Sequence, residues 1–392
     1  MKRFGLSVFK SVKNQEPTAP PEGGGAVFDI VVAGAGPAGA IAARHLARAG
    51  RSVVMLDRLR SHTPRLGETL PGAAQRLLVQ QGLADLAVPG PHHAPVGGGL
   101  TVWGDEHVVA SDTLRDPYGP GLRLDRAQFD ADLRNASLEA NGLWWKVNVS
   151  DIKRQDGLWV IGLDDGRIIR APYIIDATGR SARIVRLLSV AQQRGAALVS
   201  LYQVAKPQKN ADLERTLIEA TPDGWIYAGR LANGFWAVGY HTSPQEAVRL
   251  RRLPDRRIAI FTEAPHLTSC LGALEWEGPV FARDARSLSA IAPCGEGWYA
   301  VGDAALAFDP IAGQGLFNAL RTGMAAAEGI LASSATGLSS YTQELARVRA
   351  IYSTRRQSLY CSESRWLEND FWRVQQDRET GPIDVARQRI AT

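Results

Sequence analysis

Cysteine is scarce in this chain. Cys270, Cys294 and Cys361 are far apart and form no CxxC pair, so neither a disulfide framework nor a cysteine metal site is expected. No HExxH and no GxSxG occurs, which leaves the zinc-protease and serine-hydrolase chemistries without their residues. No apolar run approaches the roughly 20 residues of a membrane helix, so no membrane span is expected. Lysine is missing from residues 14 to 145. The formal charge of +5 comes mainly from arginines scattered among Asp and Glu, without a basic patch or an RNA-type aromatic signature. Nucleic acid is therefore not an expected partner.

What is present fits a globular protein. At 392 residues, 45% apolar and 22% charged, the chain holds two closely joined domains or one large one. The first 27 residues carry Lys2, Arg3, Lys10 and Lys13, then Pro17, Pro20, Pro21 and Gly23 to Gly25. They have no apolar centre of the secretory type, so a flexible arm and a cytoplasmic location are the expectations.

The chemistry starts at Phe28. The run Phe28-Asp29-Ile30-Val31-Val32-Ala33 reads as a strand, and Ala38, Ile41, Ala42, His45, Leu46 and Ala49 give a helical pattern after it. Between them stands Gly34-Ala35-Gly36-Pro37-Ala38-Gly39, a GxGxxG. Gly34 permits the turn, Gly36 leaves space for a pyrophosphate, and Gly39 lets helix and strand pack closely. A second apolar run, Ser52 to Leu56, ends in Asp57-Arg58. Asp57 stands where a carboxylate accepts from a ribose diol, and it argues against a 2′-phosphorylated ribose because the two anions would repel.

In the last third, Gly297-Trp298-Tyr299-Ala300-Val301-Gly302-Asp303 is followed by Asp309-Pro310-Ile311-Ala312-Gly313-Gln314-Gly315. These segments resemble the GD motif and DPxxGxG turn of the flavoprotein monooxygenases related to p-hydroxybenzoate hydroxylase and the flavin halogenases. The resemblance implies that FAD is the cofactor, with Gly302 and Asp303 at a ribityl hydroxyl. It also implies that Pro310, Gly313, Gln314 and Gly315 face the flavin pyrimidine edge. A helix N-terminus there suits the negative charge of a reduced flavin. Tyr173 to Ser181, containing Gly179, is similar to the family's DG sequence near the pyrophosphate. Leu122-Arg123-Leu124-Asp125-Arg126 to Leu133 is similar to its LDRxxFDxxL, whose arginine approaches the cofactor. Asp125 with Gln128 also reads as a helix N-cap and its capping-box partner, which leaves Arg126 as the ligand candidate. Arg65-Leu66-Gly67-Glu68-Thr69-Leu70-Pro71 resembles the GExLP segment beside the isoalloxazine ring. Glu68 reads equally as a carboxylate preceding a helix that starts at Pro71.

The expected fold is α/β. A Rossmann-type FAD-binding domain is made of 28–86, 120–182 and 280–335, with an inserted, mostly antiparallel β-sheet substrate domain from 90–118 and 190–280. Strand-like runs at Leu198–Val204, Trp225–Ala228 and Phe235–Tyr240 belong to that sheet, with a hairpin turn at Asn233-Gly234. A C-terminal helical segment follows over 336–392, with one long helix read from 340 to 373. Its aromatic stripe reads as a surface docked on the core or as a platform for a partner.

Within the superfamily, GETLP, GWxYA, the GWYAVGDAA run and RWxxxxFW look like the LodB/QhpG-type flavoproteins of tryptophylquinone cofactor biogenesis. That resemblance implies a monooxygenase acting through a flavin C4a-hydroperoxide on an electron-rich aromatic ring, such as a tryptophan in a precursor protein or peptide. A small indole or phenol is equally compatible. The reductant is NAD(P)H or a separate reductase. Flavin halogenases place a lysine shortly after the GE segment and carry WxWxIP, and both are absent here. Halogenation and polyprenyl reduction remain the alternatives. His92, His93 and His241 are the acid or base candidates, since a histidine near neutral pKa takes a ring proton, but nothing in the sequence fixes their neighbours, and loop or surface histidines without a role are the favoured reading.

Overall fold

Polar alternation is missing from Ile30–Ala33: all four residues are buried, as they are in Val53–Leu56. Continuous apolar strands belong inside a parallel sheet covered on both faces. The computed structural model describes residues 25–59, 68–113, 117–208, 214–252, 263–332, 335–377 and 383–384. In it, the two strands lie side by side inside a six-stranded sheet. Its order is Cys294–Gly295, Trp298–Ala300, Tyr173–Asp176, Ile30–Ala33, Val53–Leu56 and Leu143–Trp145. All neighbours run parallel except at the Cys294–Gly295 edge.

The helix Pro37–Arg48 follows the first strand and packs on Gly315–Ala332. Small residues make that approach possible. A Cβ on Gly323 would lie 2.4 Å from the Ala38 carbonyl oxygen, so the two backbones meet almost directly. Ala38 itself stands 3.1 Å from where a Cβ on Gly302 would be, which ties three motifs into one packed corner.

The second large unit is a seven-stranded sheet. Its order is Leu274–Asp284, Val199–Pro207, Trp236–Thr242, Gly224–Arg230, Thr216–Thr221, Gly98–Val102 and Val109–Asp112. It is antiparallel apart from the Thr216–Thr221 and Gly98–Val102 pair. The turn between Gly224–Arg230 and Trp236–Thr242 contains Asn233 and Gly234, and Gly234 takes a φ of +84° that suits glycine. One face, with Leu201, Leu217, Ile226 and Tyr240, is buried beneath helices Pro244–Arg252 and Pro265–Leu271. The other face carries Tyr202, Tyr227, Ser200, His241 and Trp225, aligned by register Tyr202↔Gly239↔Tyr227 and Ser200↔His241↔Trp225.

The single helix read from 340 to 373 is two. Helix Ala335–Ser362 stops before Glu363, and Asp370–Gln376 begins after Asn369. The break has a cause: the buried Glu363 carboxylate accepts from Gly104 N at 2.8 Å and from Arg365 N at 3.0 Å, which turns the chain. The aromatic stripe is docked, since Tyr341, Tyr352, Tyr360, Phe371 and Trp372 are all buried. Among the described residues no helix is long and apolar enough to cross a membrane.

Candidate functional site

Four strands of the parallel sheet end level with one another. In register, Ala33 stands beside Leu56 and Asp176, and Asp176 stands beside Ala300. The segments Gly34–Gly39, Asp57–Arg58, Ala177–Arg180 and Val301–Asp303 therefore emerge side by side. This carboxyl edge is where open α/β sheets take ligands.

The three glycines of the first turn differ in what surrounds them. Gly34 has a φ of +106°, and a Cβ there would lie 2.2 Å from the Ala177 carbonyl oxygen. A Cβ on Gly39 would lie 2.1 Å from the Gly34 carbonyl oxygen. Gly36 has nothing within 4 Å of its missing Cβ, so it faces open space. Pro37 opens the following helix and no side chain caps it, which leaves that end suited to an anion.

Asp57 is fastened to this turn. Its Oδ2 accepts from Ala35 N at 2.9 Å and its Oδ1 from Leu59 N at 2.8 Å. Arg58 is exposed, with its Nε 3.0 Å from Asp164. Arg65 lies outside the described residues, as do 1–24 of the N-terminal arm.

Asp303 has Arg180 Nε at 3.7 Å. Burial pushes its carboxyl above the usual range, while the charges of Arg180 and Arg126 draw it back. Arg180 also donates to the Arg286 carbonyl at 2.6 Å and the Phe308 carbonyl at 2.9 Å, so it fastens three segments around Asp303. Arg126 is paired with the buried Asp130, Nε to Oδ1 at 3.2 Å. Gly179 has a φ of +62° with open space at its Cβ position. Gly302 has a φ of +56° and donates its N–H to Thr322 Oγ1 at 2.7 Å.

The second glycine turn starts with Asp309, whose Oδ1 accepts from Ile311 N at 3.0 Å with Pro310 at the first turn position. Gly313 has a φ of +61°. Gly313, Gln314 and Gly315 are exposed at the start of Gly315–Ala332, and the two glycines have nothing within 4 Å of a missing Cβ.

The capping box at Asp125 is half present. Asp125 Oδ1 accepts from Ala127 N and Gln128 N at 3.0 and 3.1 Å. Gln128 does not reach back, because the Asp125 N–H is already taken by the His92 carbonyl and the Gln128 amide donates to Asp132 instead.

The seven-stranded sheet meets the segments 68–70 and Leu122–Leu124 through polar contacts that sequence reasoning missed. The Tyr202 hydroxyl donates to Glu68 Oε1 at 2.9 Å, with both residues buried. Arg123, 1% exposed, donates to Thr69 Oγ1 at 2.6 Å, to Thr216 Oγ1 at 2.7 Å and to the Tyr227 hydroxyl. Gly229 leaves room for that guanidinium, since a Cβ there would lie 2.6 Å from Arg123 Cζ. Burial and the nearby Glu68 carboxylate push the Tyr202 hydroxyl far above its ordinary value, so it stays a donor. Only the alternation of Leu122-Arg123-Leu124, with an arginine at an inward position, hinted at the second contact.

The histidines separate. His92 is exposed, with Asp125 3.9 Å away, and His93 packs edge-on against Phe129 in the core. His241 lies on the cover face, stacked on Trp225 at 3.7 Å with planes 6° apart, and its buried Nδ1 has no partner. Burial outweighs the helpful Trp225 and Gly239 backbone groups and lowers it to about 3, so it is neutral.

These features fit an adenine dinucleotide: an open glycine against an uncapped helix start, a carboxylate at the second strand end, and a second exposed helix start beyond Asp303. Comparison with known proteins agrees. The FAD binding domain family matches residues 27–233. LodB of Marinomonas mediterranea, which carries the name of an FAD-dependent oxidoreductase, is 25% identical over 354 residues, covering 88% of this chain and 96% of that protein. The myxobacterial chondrochloren halogenase CndH shares the fold, with a TM-score of 0.79 at 22% identity over 90% of this chain and 86% of its own. The peptidyl tryptophan dihydroxylase QhpG has a TM-score of 0.70 at 25% identity over 90% of this chain and 79% of its own. The chain therefore belongs to the FAD binding domain family, and it is an FAD-dependent oxidoreductase of the monooxygenase and flavin-halogenase superfamily.

Proposed function

We propose that this oxidoreductase is a monooxygenase that hydroxylates an electron-rich aromatic ring, and that the ring is a tryptophan side chain in a precursor protein or peptide. FAD supplies the oxygen chemistry when reduced by NAD(P)H or a separate reductase. The chain's own residues bind, orient and keep water out. Gly36, Pro37, Ala38 and Gly39 would take the pyrophosphate, Asp57 the ribose, and Asp303 with Gly313 to Gly315 the ribityl and ring end. Arg126 and Gly179 would flank the middle of the cofactor.

The observation that carries the reading is the cover face. Tyr202 and Tyr227, bonded to Glu68 and Arg123, share that face with Trp225 and the neutral His241, which stack on each other beside Tyr360. A buried aromatic face suits a flat ring and excludes water. The lysine that a halogenase needs has no counterpart on that face: Lys146, Lys153 and Lys206, the lysines among the described residues, are all exposed. QhpG, a peptidyl tryptophan dihydroxylase by name, supports the substrate class.

The test is incubation of the reduced FAD-loaded protein with oxygen and a tryptophan-containing peptide, followed by mass spectrometry. The expected result is incorporation of oxygen into the indole, independent of halide. Chlorinated or brominated product, or a saturated polyprenyl chain with no oxygenated indole, would overturn it.

A further inference from the structure

The second glycine turn is gripped from behind. Asp309 is 1% exposed, and its carboxylate accepts from Ile311 N at 3.0 Å, Tyr360 Oη at 2.9 Å and Arg356 Nε at 3.2 Å. Its own N–H donates to the Tyr352 hydroxyl at 2.9 Å. Tyr352, Arg356 and Tyr360 recur at four-residue spacing on helix Ala335–Ser362, so a single helix stripe holds both the side chain and the backbone of Asp309. Arg356 is itself anchored by the Gln375 carbonyl at 3.2 Å and by the Gln375 side-chain oxygen.

A third element enters at Tyr360. Trp225 Nε1, from the cover face, donates to the Tyr360 hydroxyl at 3.1 Å. An indole N–H can only donate, so the Tyr360 oxygen is the acceptor there. Tyr360 must then direct its own hydrogen to Asp309. The order of donors runs one way, from the cover sheet through Tyr360 to the turn, and every member is buried: Trp225 at 1%, Tyr360 at 0% and Arg356 at 4% exposure. Ile311, inside the turn, packs against the same aromatic cluster.

We propose that Tyr360 and Arg356 are positioning residues for the flavin, fixing the 310–315 turn through Asp309, and that Trp225 couples the substrate-covering sheet to that turn through the Tyr360 hydroxyl. The inference rests on the reading that Gly313 to Gly315 face the flavin. A ring-proximal helix start moved by a few tenths of an ångström changes the field at the flavin, because a helix dipole acts within its first turn. A change on the cover face thereby reaches the cofactor without touching it.

The experiment uses the FAD-loaded full chain and three variants, Tyr360→Phe, Trp225→Phe and Gly315→Val. The readouts are FAD dissociation constant by fluorescence titration, flavin absorption spectrum, flavin reduction potential and thermal midpoint. Tyr360→Phe keeps the ring and its packing but removes a hydrogen bond to a carboxylate, and is expected to weaken FAD binding about tenfold and to shift the bound flavin's spectrum and potential. Trp225→Phe is expected to shift both in the same direction by less. Gly315→Val puts a side chain directly into the open helix start and reports on the underlying reading.

If Gly315→Val weakens FAD while Tyr360→Phe leaves affinity, spectrum and potential unchanged, the positioning role is wrong and the flavin site stands. If Tyr360→Phe only lowers the thermal midpoint, with the bound flavin unaltered, the contact is structural and the proposal is overturned. If Gly315→Val also leaves FAD binding unchanged, the turn does not face the flavin and the proposal falls together with that reading.

Discussion

The Tyr202 hydroxyl on the cover sheet donates to the buried carboxylate of Glu68, 134 residues earlier in the chain, at 2.9 Å. It is one of the bonds that fasten the seven-stranded sheet to the 68–70 segment. Removing it leaves a buried acceptor short of a donor, which costs about 1–3 kcal/mol. Tyr202→Phe should therefore lower the unfolding free energy by that amount, read as a lower urea midpoint with an unchanged slope of the transition. An unchanged midpoint would mean that Glu68 finds another donor.

Acid should weaken the fold through His241. Its folded pKa of about 3 lies below the ordinary value of 6.5. The unfolded chain therefore takes up the proton first. Stability from this residue is undiminished above the ordinary value and falls as pH drops from there toward about 3, by on the order of 1 kcal/mol for each pH unit. The measurement is unfolding free energy against pH for the natural chain and for His241→Gln. The variant should lose that part of the slope between pH 6 and 4, roughly the window the linkage sets. Parallel curves would show that His241 does not titrate this way.

Gly39→Ala should be severe. The added methyl would sit 2.1 Å from the Gly34 carbonyl oxygen, backbone that cannot move without opening the first turn. Overpacking of this kind costs about 1–3 kcal/mol or more. The check is the thermal midpoint of the flavin-free protein, and a midpoint equal to the natural one would contradict the packing described.

Asp57→Ala should act on the cofactor. It removes the acceptor that holds Ala35 N at 2.9 Å and the carboxylate offered to a ribose. Loss of a charge-assisted bond of this class weakens binding by about tenfold or more. Fluorescence titration with FAD reads it directly, and unaltered affinity would remove Asp57 from the site.

How far the sequence could be read follows from the range of the interactions. The first turn was legible as a pattern because Gly34, Gly36 and Gly39 lie in one strand-turn-helix unit, while the approach of Ala177 to Gly34 and Gly39, from the end of a distant strand, was not. The resemblance at Asp303 was readable because its motif is contiguous in the sequence. Arg123 and Tyr227 were not, because they meet from 104 residues apart and only the folded cover brings them together. The same holds for the break at Glu363, whose carboxylate is taken by Gly104 N, 259 residues away. Helical periodicity runs through that break without a mark. Arg356 and Tyr360 lay in plain view at four-residue spacing after Tyr352, but nothing local says that their stripe faces Asp309. Arg58 follows Asp57 directly in the sequence, and its ion pair with Asp164, 106 positions on, is visible only in the fold.

The account depends on FAD lying along the carboxyl edge with its pyrophosphate against Gly36. The most direct measurement is titration of flavin-free protein with FAD, for the natural chain beside Gly36→Val. Gly36 has extended geometry, φ −76° and ψ −176°, and no atom near its missing Cβ, so the variant should fold normally. The natural chain should turn yellow and bind stoichiometrically, while Gly36→Val keeps its thermal midpoint and loses about tenfold or more in affinity, the cost of more than about 1.4 kcal/mol. A natural chain that stays colourless, or a valine variant that binds FAD as tightly as the natural chain, would contradict it.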